Sequence, residues 1–459
     1  MRFGTRTWAL LPLAVGLNVA VGQLVGALKL PLYLDSLGTV LVGALGGPAA
    51  GALTGALSNV LLAATMSLTW LPFAATSATV GALSGWLAAC RLFSRPQTAA
   101  LGGLLVGVAS ALVSAPIAAY LFGGLTGGGT DLVVALFRAS GLGVVQASLA
   151  QGLLTDPLDK LLTFLLVQLS LASLPPRVLA SFPAGAALGR LQGLRLGRPA
   201  PASTATARLQ ARSPALPPAL FRPGQGWLHR RSPFTKLLLA GLALAAALTA
   251  PGGPGSGPGV ALPLWAAAGL ALGLSAGVGL EMAGALAGLW GPLALSLVLV
   301  NGLAGGLSPA RALQGLTLSL RLLVALEGAL LLLLTTRPAH LVGDLERRGL
   351  PAPLAYVLLS SLQLLPGLAR RSRQILWAQT ARGMASEGGL VLRLRALGPT
   401  VGPLVQGALA EVHERALALE ARGFAALPRR TWLLDPPGSA LDGWLQVLIL
   451  GALVAVVLA

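Results

Sequence analysis

Between Ser36 and Cys90 the chain runs for 55 residues without a single Asp, Glu, Lys or Arg. No ordinary water-soluble fold hides a stretch of that length, whereas a bilayer needs about 20 consecutive apolar residues for each crossing helix. Further charge-free stretches run from Thr7 to Leu28, Pro96 to Thr130 and Leu237 to Leu280. Only 10% of the 459 residues are charged, against about 25% in a typical soluble domain. The chain is therefore expected to be an all-α polytopic membrane protein. Its 60 glycines suit helices that approach closely in lipid, and the sustained apolar–polar alternation of a membrane β-barrel is missing. The single cysteine, Cys90, excludes an intramolecular disulfide. Arg2 and Arg6 precede an apolar run too long for a cleaved leader, so a retained first helix with its N-terminus inside is expected.

The net charge of +18 is unevenly spread. From Gly185 to Lys236 there are eight arginines and no acid, among prolines, serines and threonines. This composition predicts an extended cytoplasmic linker, and it divides the chain into 1–187, 188–234 and 235–459. Nucleic-acid binding is disfavoured, because aromatic residues are not interleaved with the arginines. In the first part, Gly46-Gly47-Pro48 predicts a turn that splits 36–62 into two short helices. Together with helices near 8–28, 73–90, 98–121 and 157–175 this gives six, and it places Arg91, Arg95 and Arg177 on the linker side. Tyr33–Asp35, Met66–Trp70 and Gly123–Asp156 then lie on the outer side. After the linker, spans are expected near 237–250, 260–280, 283–300 and 316–336. Arginine-rich amphipathic helices follow over 337–430, and a last span over 442–458.

No Gly-x-x-x-x-Gly-Lys-Ser/Thr loop exists, since none of the three lysines follows a glycine. The histidines, His229, His340 and His413, lack metal-ligand spacing, and Gly252–Gly257 reads as a loop. Polar groups inside apolar runs point to a pocket, because each is costly in lipid. In the first part these are Asn18, Gln23, Asn59, Gln146 and Gln151, with Tyr33, Asp35 and Trp70 on the outer loops. Asn59 and Trp70 are the favoured substrate contacts, followed by Tyr33, Asp35, Gln146 and Gln151; interhelical hydrogen bonds or interfacial anchoring is the alternative for each. Arg321 and Glu327 fall within one later span, on different helix faces.

Two short repeats stand in the amphipathic region: Ala381-Arg382-Gly383 and Ala421-Arg422-Gly423. Each ends a run of helix formers, so the arginines are either simple C-terminal caps or matched cations presented to a two-fold partner. With Thr335-Thr336-Arg337-Pro338, Leu345–Pro351, Leu364-Leu365-Pro366 and Leu417–Phe424, these repeats resemble the transmembrane T component of energy-coupling-factor (ECF) transporters. The resemblance implies that Arg382 and Arg422 contact a pair of ABC-type ATPases. Leu34–Thr39, Gly46–Asn59 and Pro157–Lys160 are similar to the six-helix substrate-binding S component of the same transporters. The first helix of that family often carries an Ala-x-x-x-Ala docking pattern; this chain departs from it, and the nearest patterns are Gly16–Ala20 and Gly22–Gly26.

The resemblance thus implies a multi-pass inner-membrane subunit of an ABC importer for a vitamin or related micronutrient. It would bind no cofactor, leaving ATP to separate subunits, and it would be no enzyme. A self-sufficient secondary transporter is the alternative reading. An intramembrane enzyme is weaker still, since no paired carboxylates or histidine cluster face a common site.

Overall fold

Helices follow the apolar runs, and glycine and proline set where they end. The computed structural model describes residues 3–28, 30, 32–65, 70–124, 131–185, 221–224, 226–250, 259–303, 309–384, 389–424 and 437–458. In the first half these form α1 (Thr5–Ala27), α2 (Leu37–Gly46), α3 (Pro48–Thr65), α4 (Ala74–Ala89), α5 (Pro96–Phe122), α6 (Asp131–Ala139), α7 (Val144–Ala172) and α8 (Pro176–Ala180). In the second half they form α9 (Pro233–Thr249), α10 (Ala261–Ser275), α11 (Gly279–Leu303) and α12 (Pro309–Thr335), then α13 (Pro338–Arg347), α14 (Ala352–Ala381), α15 (Leu390–Ala421) and α16 (Leu441–Leu458). No strand occurs among the described residues. Among the described residues five helices are long and apolar enough to cross a bilayer, and the protein is an all-α polytopic membrane protein.

Gly47 takes a φ of +89°, a conformation that glycine adopts freely, and it breaks the apolar run into α2 and α3 as expected. The sixth crossing differs from the expectation. Helix α7 begins at Val144 rather than near 157 and carries Pro157 inside it, which membrane helices tolerate because neighbouring groups take up the freed carbonyl. Close glycine contacts set the packing of the first bundle. A Cβ at Gly51, Gly55 or Gly81 would strike the backbone of the facing helix in the α3–α4 pair. Large apolar side chains such as Leu101, Leu105 and Leu112 of α5 and Trp444 and Leu448 of α16 are exposed, as suits a lipid-facing surface.

Helix α1 is the opposite case. Some 83% of its span is buried, and the largest apolar core joins it both to α2 of its own half and to α14 and α15 of the other. The α14 face that it meets recurs at helical spacing through Ser361, Leu364, Leu368 and Ser372, while Arg370, Arg371 and Arg373 point away and are exposed. The apolar stretch Leu354–Leu365, short for a crossing, is thus the first part of a continuous 30-residue helix.

Residues 186–220, most of the expected linker, and the loop Gly252–Gly257 lie outside the described residues. The remainder of the linker is folded: Leu228 is buried in a core of the second half, and the Arg222 N–H donates to the Leu334 carbonyl at 2.9 Å. Helix α9 is then started by Ser232, which accepts from the Thr235 N–H. Asp344 accepts from the Phe234 N–H at 3.0 Å, and the Arg348 guanidinium lies 4.1 Å from the Phe234 ring centroid.

Candidate functional site

Two features stand out: a cavity at one end of the first bundle and a matched pair of helix ends in the second half. The cavity, about 650 Å³, lies where the loop after α1 meets α3, α4, α5 and α7. Tyr33, Asp35, Asn59, Trp70 and Gln151, five of the six residues singled out in the sequence, line it. Gln146 does not. It is exposed at the start of α7, where its side chain accepts from the Gly143 N–H at 3.2 Å, a helix cap of the familiar N3 type. Met66–Thr69, expected beside Trp70 on the outer side, lie outside the described residues.

The loop that presents Tyr33 and Asp35 is fixed by one buried carboxylate. Asp159 accepts from the Tyr33 and Leu34 N–H groups at 3.0 and 2.8 Å and from the Lys160 ammonium at 2.7 Å. Lys160 also donates to Ser36 at 3.0 Å and lies 3.7 Å from Asp35. One turn earlier on α7, Asp156 accepts from Ser110 of α5 at 3.0 Å. Asn59 donates to Ser77 at 2.9 Å across α3 and α4. Asp156, Lys160, Ser110, Ser77, Thr76, Ser148 and Asp131 were not singled out as pocket residues in the sequence, although all line the cavity. Asn18 has a structural task instead: it donates to Thr39 and Ser58, both at 2.8 Å, and accepts from the Gly38 N–H at 2.6 Å.

The second half supplies one wall. Gly288, Leu289, Pro292, Leu293 and Ser296 of α11 line the cavity, and Arg138 of α6 donates to Asn301 of the same helix at 2.7 Å. The pocket is therefore shared between the halves. Elsewhere in the second half, Arg321 donates to the Ala250 carbonyl at 2.8 Å. Glu327 is buried against Gly269, with no hydrogen-bond partner for either carboxylate oxygen among the described residues.

The matched helix ends are those of α14 and α15. Arg382 and Arg422 are the C-caps, both with φ of −86°, and each is followed by a glycine of positive φ, Gly383 at +87° and Gly423 at +68°. The bonding repeats as well: Met384 N–H to Gln379 O at 3.1 Å, Phe424 N–H to Leu419 O at 3.0 Å. Ala381, Arg382, Ala421 and Arg422 are all exposed. The two helices run antiparallel where they meet, with Tyr356 against Phe424, Arg371 beside Glu411 and Gln379 bonded to Pro399. Arg422 thus sits near the start of α14 and Arg382 at its end, about 40 Å apart at roughly 1.5 Å per residue. Helix α1 rests on both, and a Cβ at Gly16 would lie 2.6 Å from a Leu368 methyl. Of the two small-residue patterns considered, Gly16–Ala20 faces α14, whereas a Cβ at Gly26 meets nothing within 4 Å.

The chain is thus a multi-pass helical membrane protein with a cavity at one end of its first bundle and exposed, arginine-capped helix ends in its other half. The sequence profile of the CbiQ family, described as cobalt transport protein, matches residues 224–432. The chain is also similar to the energy-coupling factor transporter transmembrane protein EcfT of Bacillus selenitireducens, 37% identical over 128 residues, 26% of this chain and 48% of the relative. With the protein of the same name from Bacillus subtilis it shares 32% identity over 150 residues, 31% of this chain and 55% of the relative. The chain thus spans about half the length of the curated relatives it matches. Its C-terminal half is thus similar to CbiQ- and EcfT-type transmembrane proteins.

Proposed function

We propose that the chain is a fused S–T subunit of an ECF-type importer: the first half captures a micronutrient from outside, and the second couples its passage to ATP hydrolysis by a separate pair of ATPases. The observation that carries this reading is the seating of α1 across α14 and α15, whose far ends present Arg382 and Arg422 in the same capped geometry. Rotation of α14 and α15 by the ATPases would move α1, and with it the bundle that holds the cavity. A guanidinium offers a planar fork to a carboxylate in a partner groove, so two matched arginines suit two equivalent grooves. In this reading α14, although apolar enough in its first part to enter a bilayer, lies with α15 along the cytoplasmic face, so the N-terminus, the linker and both arginines are cytoplasmic, in line with the arginine-rich surface of α14 and the exposed Arg91 and Arg95.

The test is the Arg382→Ala, Arg422→Ala double variant, reconstituted with its ATP-binding subunits in proteoliposomes. ATP-driven uptake of the ligand that co-purifies with the protein is expected to vanish, while binding of that ligand stays unchanged. Uptake at the wild-type rate from protein present at normal level would make the two arginines helix caps and nothing more.

A further inference from the structure

From the charges and unpaired hydroxyls of the cavity we infer its substrate class: a small organic cation with a planar ring. This inference rests on the reading of the cavity as the substrate site. Two carboxylates, Asp35 and Asp156, line the cavity against one ammonium, Lys160. That ammonium is already engaged by Asp159 at 2.7 Å, with Asp35 at 3.7 Å. Asp156 has a neutral hydroxyl, that of Ser110, as its hydrogen-bond partner. The wall thus carries a surplus of negative charge, which in a low-dielectric bundle calls for a positive ligand.

A second, independent observation points to an organic ligand. The hydroxyls of Ser148 and Thr76, residues only 2% and 7% exposed, line the cavity, and neither has a hydrogen-bond partner among the described residues. Buried hydroxyls are rarely left so, and a bound molecule with acceptor groups would satisfy them. Trp70 and Phe73 add aromatic surface to the same cavity, on which a charged ring can stack. The volume of about 650 Å³ is in the range of small-molecule pockets. A bare metal ion is a poorer fit, since no group of three or more His, Cys, Asp or Glu is placed to hold one among the described residues.

Isosteric probes of different charge decide the matter. Calorimetry on the full chain in nanodiscs would compare N1-methylnicotinamide, nicotinamide and nicotinate, then N-methylquinolinium, quinoline and quinoline-4-carboxylate, and finally cobalt(II). In at least one ring series the cation is expected to bind ten-fold or more tightly than its neutral isostere, with the anion undetectable. Asp156→Asn should remove that preference. Equal or tighter binding of a neutral or anionic probe overturns the charge assignment while leaving the cavity a binding site. Binding of cobalt(II) alone, or of no probe at millimolar concentration, overturns the proposal as well. The arginine double variant reads coupling rather than binding, so failure of the transporter reading shows in uptake and not here.

Discussion

Asp159 illustrates how much of the cavity depends on one side chain. Its carboxylate holds two consecutive backbone N–H groups of the loop that presents Tyr33 and Asp35, together with Lys160. Asp159→Ala leaves those groups without their acceptor, at a cost of about 1–3 kcal/mol, and frees the loop. Ligand affinity measured by calorimetry should fall by at least ten-fold, with no change in the helical circular dichroism. Unaltered affinity would show that the loop keeps its place without Asp159. Asn18→Ala should act differently, lowering the thermal stability of the detergent-purified protein by about 1–3 kcal/mol, because Thr39, Ser58 and the Gly38 N–H all lose a partner. At this scale the sequence was readable where a polar side chain stood out in an apolar run, as with Asn59, Trp70 and Gln151. It was not readable for Ser148 and Thr76. Serine and threonine in membrane helices usually bond to their own preceding turn, as Thr54, Ser58, Thr163 and Ser170 do here, and nothing local tells the two kinds apart.

Between elements, small residues and shared walls carry the consequences. Gly81 meets the backbone of α3 so closely that any side chain there must force α3 and α4 apart. Gly81→Leu is expected to destabilise the first bundle by about 1–3 kcal/mol or more, and to lower the midpoint of thermal unfolding followed by tryptophan fluorescence. A midpoint equal to wild type would mean that the two helices are not held at this separation. The wall contributed by α11 leads to a prediction about fragments: residues 1–185 alone should bind the co-purifying ligand more weakly than the whole chain, because Leu289 and Ser296 no longer close the cavity. Equal affinity for fragment and full chain would confine the site to the first half. Helix positions were legible from charge-free runs and the Gly-Gly-Pro break. The contribution of α11 was not, since Gly288–Ser296 reads as an ordinary apolar stretch, and which neighbour it meets is settled by long-range packing alone.

For the molecule as a whole, the contact of α1 with α14 and α15 is what joins capture to coupling in the proposed mechanism. Gly16→Trp would place an indole where the Leu368 methyl now sits. Because Gly16 does not line the cavity, ligand binding should persist while ATP-driven uptake falls by ten-fold or more. Uptake at the wild-type rate in proteoliposomes would locate the coupling contact elsewhere. The paired Ala-Arg-Gly motifs could be read in the sequence because they are local. The central place of α1 could not, since a helix apolar around nearly its whole circumference looks much the same whether lipid or protein surrounds it.

That burial also bears on how the chain is made. Helix α1 leaves the ribosome well before the two long helices that enclose it, which begin more than 320 residues later, at Ala352 and Leu390. At about 5–20 residues per second this is a delay of roughly 20–70 s. Throughout that interval its even apolar surface can dissolve in the bilayer as any single span would, with no polar stripe to aggregate around. The same evenness lets it be withdrawn from lipid afterwards, because exchanging acyl chains for leucine side chains changes packing far more than hydration. The helix at the centre of the finished protein is therefore one that biosynthesis can leave at its edge until the last third of the chain arrives.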